Sequence, residues 1–123
     1  MPYDPGTINL ADKFGKFSER WSPKIIGQLN NLHIKIAKIQ GEFTWHSHED
    51  TDELFMVHKG RLTIRYRDGE ATLGPGDIHV VPKGVEHLPV AEEECEIIMI
   101  EPAGTLNTGD ASDERTVEDP PWI

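Results

Sequence analysis

The sequence predicts an all-β domain, a small barrel or sandwich. Three observations carry that expectation. Between residues 25 and 101 the chain reads as short runs in which apolar and polar residues alternate. Gly, Asn, Asp and Pro separate these runs at short intervals, as turns require. The 123 residues suffice for one domain with a core and are too few for two ordinary ones.

The elements follow in order. Residues 1–24 read as an N-terminal arm; Leu10–Phe17 suits a short helix or an edge strand, and Trp21 is a candidate anchor. Residues 25–101 form the barrel. Ile25–Leu29 is a strand ended by Asn30 and Asn31. Leu32–Ile39 sets Leu32, Ile34 and Ile36 against His33, Lys35 and Ala37. A turn at Gln40, Gly41 and Glu42 leads into an expected strand Phe43–Ser47. After a polar loop at 49–52, Glu53–His58 is the next strand, turned by Lys59 and Gly60. Arg61–Arg67 alternates sharply, and Asp68-Gly69 is a hairpin signal that pairs it with Ala71–Leu73. Gly74 to Asp77 turns the chain into Ile78–Val81, which Pro82 and Gly84 end. His87–Ala91 and Glu96–Glu101 are the last two expected strands. Residues 102–123 form an irregular tail without helical periodicity, expected to wrap a partner subunit or to be disordered.

Charge and composition exclude several functions. The net charge is −10, from 22 acidic and 12 basic residues, which repels nucleic-acid phosphates and anionic membranes. No apolar run approaches the ~20 residues that cross a bilayer. The opening residues Met1 to Gly6 lack the pattern of a secretion signal, so a cytoplasmic location is expected. The single cysteine, Cys95, forms no disulfide within the chain and reads as a structural thiol. The late acids, Glu92, Glu93, Glu94, Glu96 and Glu101 among them, read as a solvated edge and tail.

One cluster carries chemistry. His46 and His48 lie two apart, so an extended backbone aims both imidazoles to one side. Glu53 returns a carboxylate from the next strand, and His87 lies far along the chain. Three imidazole nitrogens and one carboxylate oxygen suit a single divalent transition metal: Fe, Mn, Ni, Zn, Co or Cu. Positions would stay open for water or substrate. Bound imidazoles must be neutral, so metal should be lost as pH falls below ~6.

These motifs resemble those of the cupin superfamily. Its first motif has a Gly, His-x-His, three or four residues, a Glu, six residues and a Gly. Here Glu53 follows His48 after four residues and Gly60 follows Glu53 after six. The second motif, Gly, five residues, Pro-x-Gly, two residues and His, is matched by Gly76, Pro82, Gly84 and His87. Gly41 precedes His46 by four residues rather than five, and Ala91 stands where the family often has Asn. Neither is a ligand position. The resemblance implies a double-stranded β-helix, the jelly-roll barrel, and a metal on His46, His48, Glu53 and His87. Small cupins of this length are often called mannose-6-phosphate isomerase-like, a label that follows barrel motifs rather than chemistry.

The other candidates have structural readings. His58 shares parity with Leu54 and Met56 and should point away from the metal; His33 and His79 lie outside the motifs. Asp52 replaces Glu53 only if the register slips. Arg61, Arg65 and Arg67 form a basic stripe expected to pair with acids across a sheet. Trp45, Phe55 and Tyr66 are core or pocket walls. Bulky residues on both faces of several strands call for a second layer, and a homodimer is expected. The function implied is a metal-dependent enzyme, an isomerase, lyase or dioxygenase, acting on a small polar organic or sugar-like substrate. No catalytic base stands out, which keeps a second reading open: a non-catalytic, metal-dependent small-ligand-binding module.

Overall fold

The computed structural model describes residues 6–123; the first residues of the expected arm lie outside that range. One helix, α1 (Leu10–Phe14), precedes seven strands: β1 (Lys24–Leu29), β2 (Leu32–Glu42), β3 (Glu53–Lys59), β4 (Leu62–Tyr66), β5 (Gly69–Leu73), β6 (Ile78–Val81) and β7 (His87–Pro102). All named pairings are antiparallel. The order β1-β2-β7-β3-β6 forms one path, and β4 pairs with β5 and β7. The fold is the expected jelly-roll barrel.

β7 joins the two halves of the barrel. Its first residues pair with β4, and its later residues pair with β2 and β3. The two strands expected here are therefore one. Glu92, Glu93 and Glu94 stay extended and exposed, and Cys95 returns to the core. The turn expected at residues 40–42 is a bulge: β2 continues through Gly41, whose φ of 86° takes up a register shift.

The strand expected at Phe43–Ser47 is not a regular one. His46 exchanges both backbone bonds with His87, N–H to carbonyl, at 3.1 and 2.9 Å. The Ser47 N–H goes instead to the Asp110 carboxylate at 2.7 Å, and the Ser47 carbonyl accepts from the Asp110 N–H at 2.9 Å. Its hydrogen-bonding groups are thus spent on the tail rather than on a sheet neighbour.

Alternation divides the apolar residues between two faces. Ala37, Ile39, Phe55, Val57, Ile97 and Met99 point inward, packed with Leu62, Ile64 and Leu73. Ile36, Ile98 and Met56 point outward. That outer face is covered by the chain itself. Asn9 caps α1, its side-chain oxygen accepting from the Asp12 N–H at 2.9 Å. Phe14, 2% exposed, then packs on Ile26, Ile36 and Ile98 together with Ile123. Fully burying a side chain of this kind contributes about 1.5–3 kcal/mol. The tail is ordered against its own barrel: the Ile25 N–H donates to Pro121 and the Ile123 N–H to Ile25, at 2.8 and 3.0 Å.

Candidate metal centre

The segment bearing His46 and His48 is held from both sides. Asp110 clamps Ser47 between them, and the Gly84 N–H donates to the His48 carbonyl at 2.8 Å. Gly109 makes the clamp possible. It has a φ of 56°, and a Cβ there would run into the Ser47 carbonyl and come within 3.0 Å of the His46 ring. Glu53 opens β3 on the inward face shared with Phe55 and Val57, and His87 opens β7. All four sequence-predicted ligands are thus brought to one place. They are 0–6% exposed, and one ligand atom from each lies within 4.8 Å of every other.

The hydrogen bonds aim the rings. The His46 Nδ1 sits 2.8 Å from the Thr44 carbonyl and the His87 Nδ1 sits 3.0 Å from the Val85 carbonyl. A carbonyl accepts only from N–H, so each Nδ1 carries the proton and each Nε2 presents a lone pair to the centre. His48 Nε2, His87 Nε2 and Glu53 Oε1 are buried without a hydrogen-bond partner. The two nitrogens stand 3.2 and 3.5 Å from that oxygen, near enough for an ionic contact but misaligned for a hydrogen bond. Two ligands each ~2.1 Å from one ion stand roughly 3.0–3.4 Å apart in octahedral or tetrahedral geometry. The residues present therefore fit a divalent metal.

Electrostatics favour the same charge states. Burial, then the neighbouring His87, lowers His46 to about 4, keeping its imidazole neutral. Burial works to raise Glu53, but the facing His48, His87 and Glu101 side chains outweigh it and hold the carboxyl below the usual range.

Two buried charged residues lie beside the site, and one of them, Glu101, departs from the expectation of a solvated edge. Glu101 is 2% exposed, and Lys35 is 3% exposed. The pairing of Leu54 with Ile100 and Phe55 with Met99, carried one residue further, sets Glu101 opposite Glu53. The Lys35 Nζ lies 3.7 Å from Glu101 and donates to the Thr105 carbonyl at 3.0 Å. Burial, then the Glu53 charge, pushes Glu101 well above the usual carboxylate range, with Lys35 opposing. The available signal was parity: Lys35 alternates with Ala37 and Ile39, and Glu101 with Ile97 and Met99.

A narrow cavity, open to solvent, reaches His46 and Glu53 inside the barrel. Its walls include Ile39, Phe55, Ile97 and Met99. Trp21 and Phe43, both in its lining, stack in parallel, 4.7 Å apart, and the Phe43 and His46 rings meet at right angles, 5.5 Å apart. Arg115 lies over Phe43 at 4.7 Å.

The remaining candidates lie elsewhere. Asp52 is exposed and accepts from the Lys83 N–H at 2.9 Å. His58 points outward, stacked on Phe14, with its Nδ1 2.8 Å from Glu96. His79 bonds the Tyr66 hydroxyl, and His33 meets Trp122 edge-on. Arg65 pairs with Glu42 and Arg67 with Glu86, as expected of the basic stripe, and Arg67 also covers Trp45 at 3.7 Å.

Known proteins place the chain in a family. The Cupin_2 family, a cupin domain, matches residues 33–101. A crystal structure of a cupin-2 domain protein from Shewanella frigidimarina aligns with a TM-score of 0.76 and 52% identity, over 77% of this chain and 93% of that one. Protein NMB1881 from Neisseria meningitidis aligns with a TM-score of 0.73 and 31% identity, over 80% of this chain and 100% of that one. Bacillus subtilis YdbB is 33% identical over 104 residues, 76% of this chain and 92% of that protein. With its jelly-roll barrel and inward-facing histidine motifs, this chain belongs to the Cupin_2 family of cupin domains.

Proposed function

We propose that His46, His48, Glu53 and His87 hold one divalent transition metal, and that the protein is a metal-dependent enzyme acting on a small oxygen-bearing organic molecule. The observation that carries this reading is the set of three buried, partnerless ligand atoms converging on one point. Unsatisfied groups of this kind cost about 1–3 kcal/mol each unless something binds them. A bound metal supplies Lewis acidity for isomerisation or elimination or, if it is iron, redox capacity for dioxygenation. The chain supplies the rest. Thr44 and Val85 fix the imidazole tautomers, Glu101 and Lys35 back Glu53, and the apolar cavity excludes water. The barrel at 25–101 carries this chemistry, with residues 6–24 of the arm and the tail at 102–123 packed against it.

A second reading, a metal-dependent binding module without catalysis, is favoured by one observation. The ionisable side chains lining the cavity, His46 and Glu53, both belong to the ligand set. The test is to incubate metal-loaded protein with small hydroxyketones, in air and without it. Turnover supports the enzyme; a raised Tm with the ligand unchanged supports the module.

We also propose a homodimer in the cytoplasm. Ile78 and Val80 are 61% and 46% exposed on β6, at the end of the sheet path, where a second copy would cover them. A lone buried thiol suits a reducing compartment. Sedimentation as a monomer at micromolar concentration would refute the dimer.

A further inference from the structure

We infer that the barrel cavity takes a compact, largely hydrocarbon molecule with a single oxygen-bearing end, such as an aryl hydroxyketone, and excludes polyols and sugar phosphates. This rests on the proposed metal site, which would receive the oxygen end, and it narrows the expected substrate away from sugars.

The cavity offers few hydrogen-bonding partners. The lining side chains that carry a polar atom are His46, Glu53, Asn107 and Trp21, whose indole N–H already donates to the Gln40 carbonyl at 3.1 Å. The first two face the metal position. Asn107 is already engaged at both ends: its amide donates to the Arg115 carbonyl at 2.8 Å and its oxygen accepts from the Val117 N–H at 2.9 Å. The rest of the lining is apolar, Phe55, Ile97 and Met99 among it. Beyond the metal-binding pair, the second Asn107 N–H is the one side-chain donor left among the described residues of the lining, so each additional hydroxyl would enter without a partner, a strong ground on which a site rejects a ligand.

A phosphate finds no Lys or Arg among the described residues of the cavity lining. Arg115 lies over Trp21 and Phe43, its charge already paired with Asp113. Its guanidinium donates to the Glu42 carbonyl and to Asp113, each at 3.0 Å, while its face lies on Phe43. The walls instead suit an apolar, ring-bearing body. Trp21 and Phe43, stacked on each other 7° from parallel, add two aromatic rings to the lining beside His46.

Two probes with the same oxygen-donor pair and different bodies test this. α-Hydroxyacetophenone carries a phenyl ring; L-erythrulose carries further hydroxyls and cannot close into a ring. Calorimetric titration of metal-loaded protein should show the aromatic probe binding at least about tenfold more tightly. Phe43→Ala and Met99→Gln should each narrow that gap, with circular dichroism confirming the fold. Equal affinities, tighter binding of L-erythrulose, or no binding of either probe overturns the inference. Elemental analysis of the same samples separates it from the metal reading. If the protein holds no metal and takes none up, that reading fails. An aromatic preference that persists in such protein, followed by tryptophan fluorescence, upholds the cavity inference, and loss of the preference overturns it.

Discussion

Replacing Lys35 with methionine tests the buried charges behind the site most sharply. At 3.7 Å from Glu101, and with an effective dielectric near ~20, the lost attraction is roughly 4 kcal/mol. The charged bond to the Thr105 carbonyl adds about 1.5–3 kcal/mol. Glu101 is already displaced toward its protonated form by burial and by Glu53, which takes back part of both. The net destabilisation expected for Lys35→Met is about 3 kcal/mol, within the range for breaking a buried pair. For a chain of 123 residues, an unfolding entropy of ~2.1 cal/mol/K per residue turns this into a Tm lowered by roughly 12 °C. Thermal and urea unfolding measure it. Lys35→Met combined with Glu101→Gln should recover to within about 1 kcal/mol of wild type, because the stranded acid is gone. A single-variant loss below about 1 kcal/mol, or a double variant showing the plain sum of the two single losses, would refute the reasoning.

Three further outcomes follow. Gly109→Ala forces a Cβ against the Ser47 carbonyl and the His46 ring; it should cost about 3 kcal/mol and weaken metal binding at least about tenfold, with unchanged unfolding and unchanged metal titration contradicting the clamp. Cys95 is fully buried, and burial followed by Glu96 pushes its thiol up to about 12; mass spectrometry should find native protein at pH ~8 alkylated by iodoacetamide at least about a hundredfold more slowly than unfolded protein. His58→Ala removes the Phe14 stack and the bond to Glu96, so it should cost about 1–2 kcal/mol while metal stoichiometry stays as in wild type; loss of metal would mean the outward-facing histidine had been misplaced.

Strand alternation and turn chemistry made much of this legible in the sequence. The hairpin at Asp68-Gly69, the outward side of His58 and the shared side of His46 and His48 follow from local rules of parity and spacing, while His87 joined the set through the resemblance to the cupin motifs. Three features did not. Residues 43–47 alternate like a strand, yet the Ser47 backbone bonds go to Asp110, a partner over 60 positions away that no local pattern names. Glu101 sits at the end of an acid-rich stretch, so composition suggested solvent while its parity with Ile97 and Met99 put it inside. The tail has no periodicity because it is held by individual bonds, from Asn107, Asp110 and Pro121, rather than by a repeating ladder. Long-range clamps of this kind are set by tertiary structure and leave no trace in a short window.

The central claim is that four buried side chains hold one metal ion. Elemental analysis of tag-free protein, with His46→Ala and His48→Ala prepared alongside, tests it most directly. Near one equivalent of a transition metal is expected in the wild-type protein, or uptake of one on addition, with a sharp loss in both variants. Wild-type protein that neither carries nor takes up metal, or variants that hold it as tightly, would rule out a metal at this site.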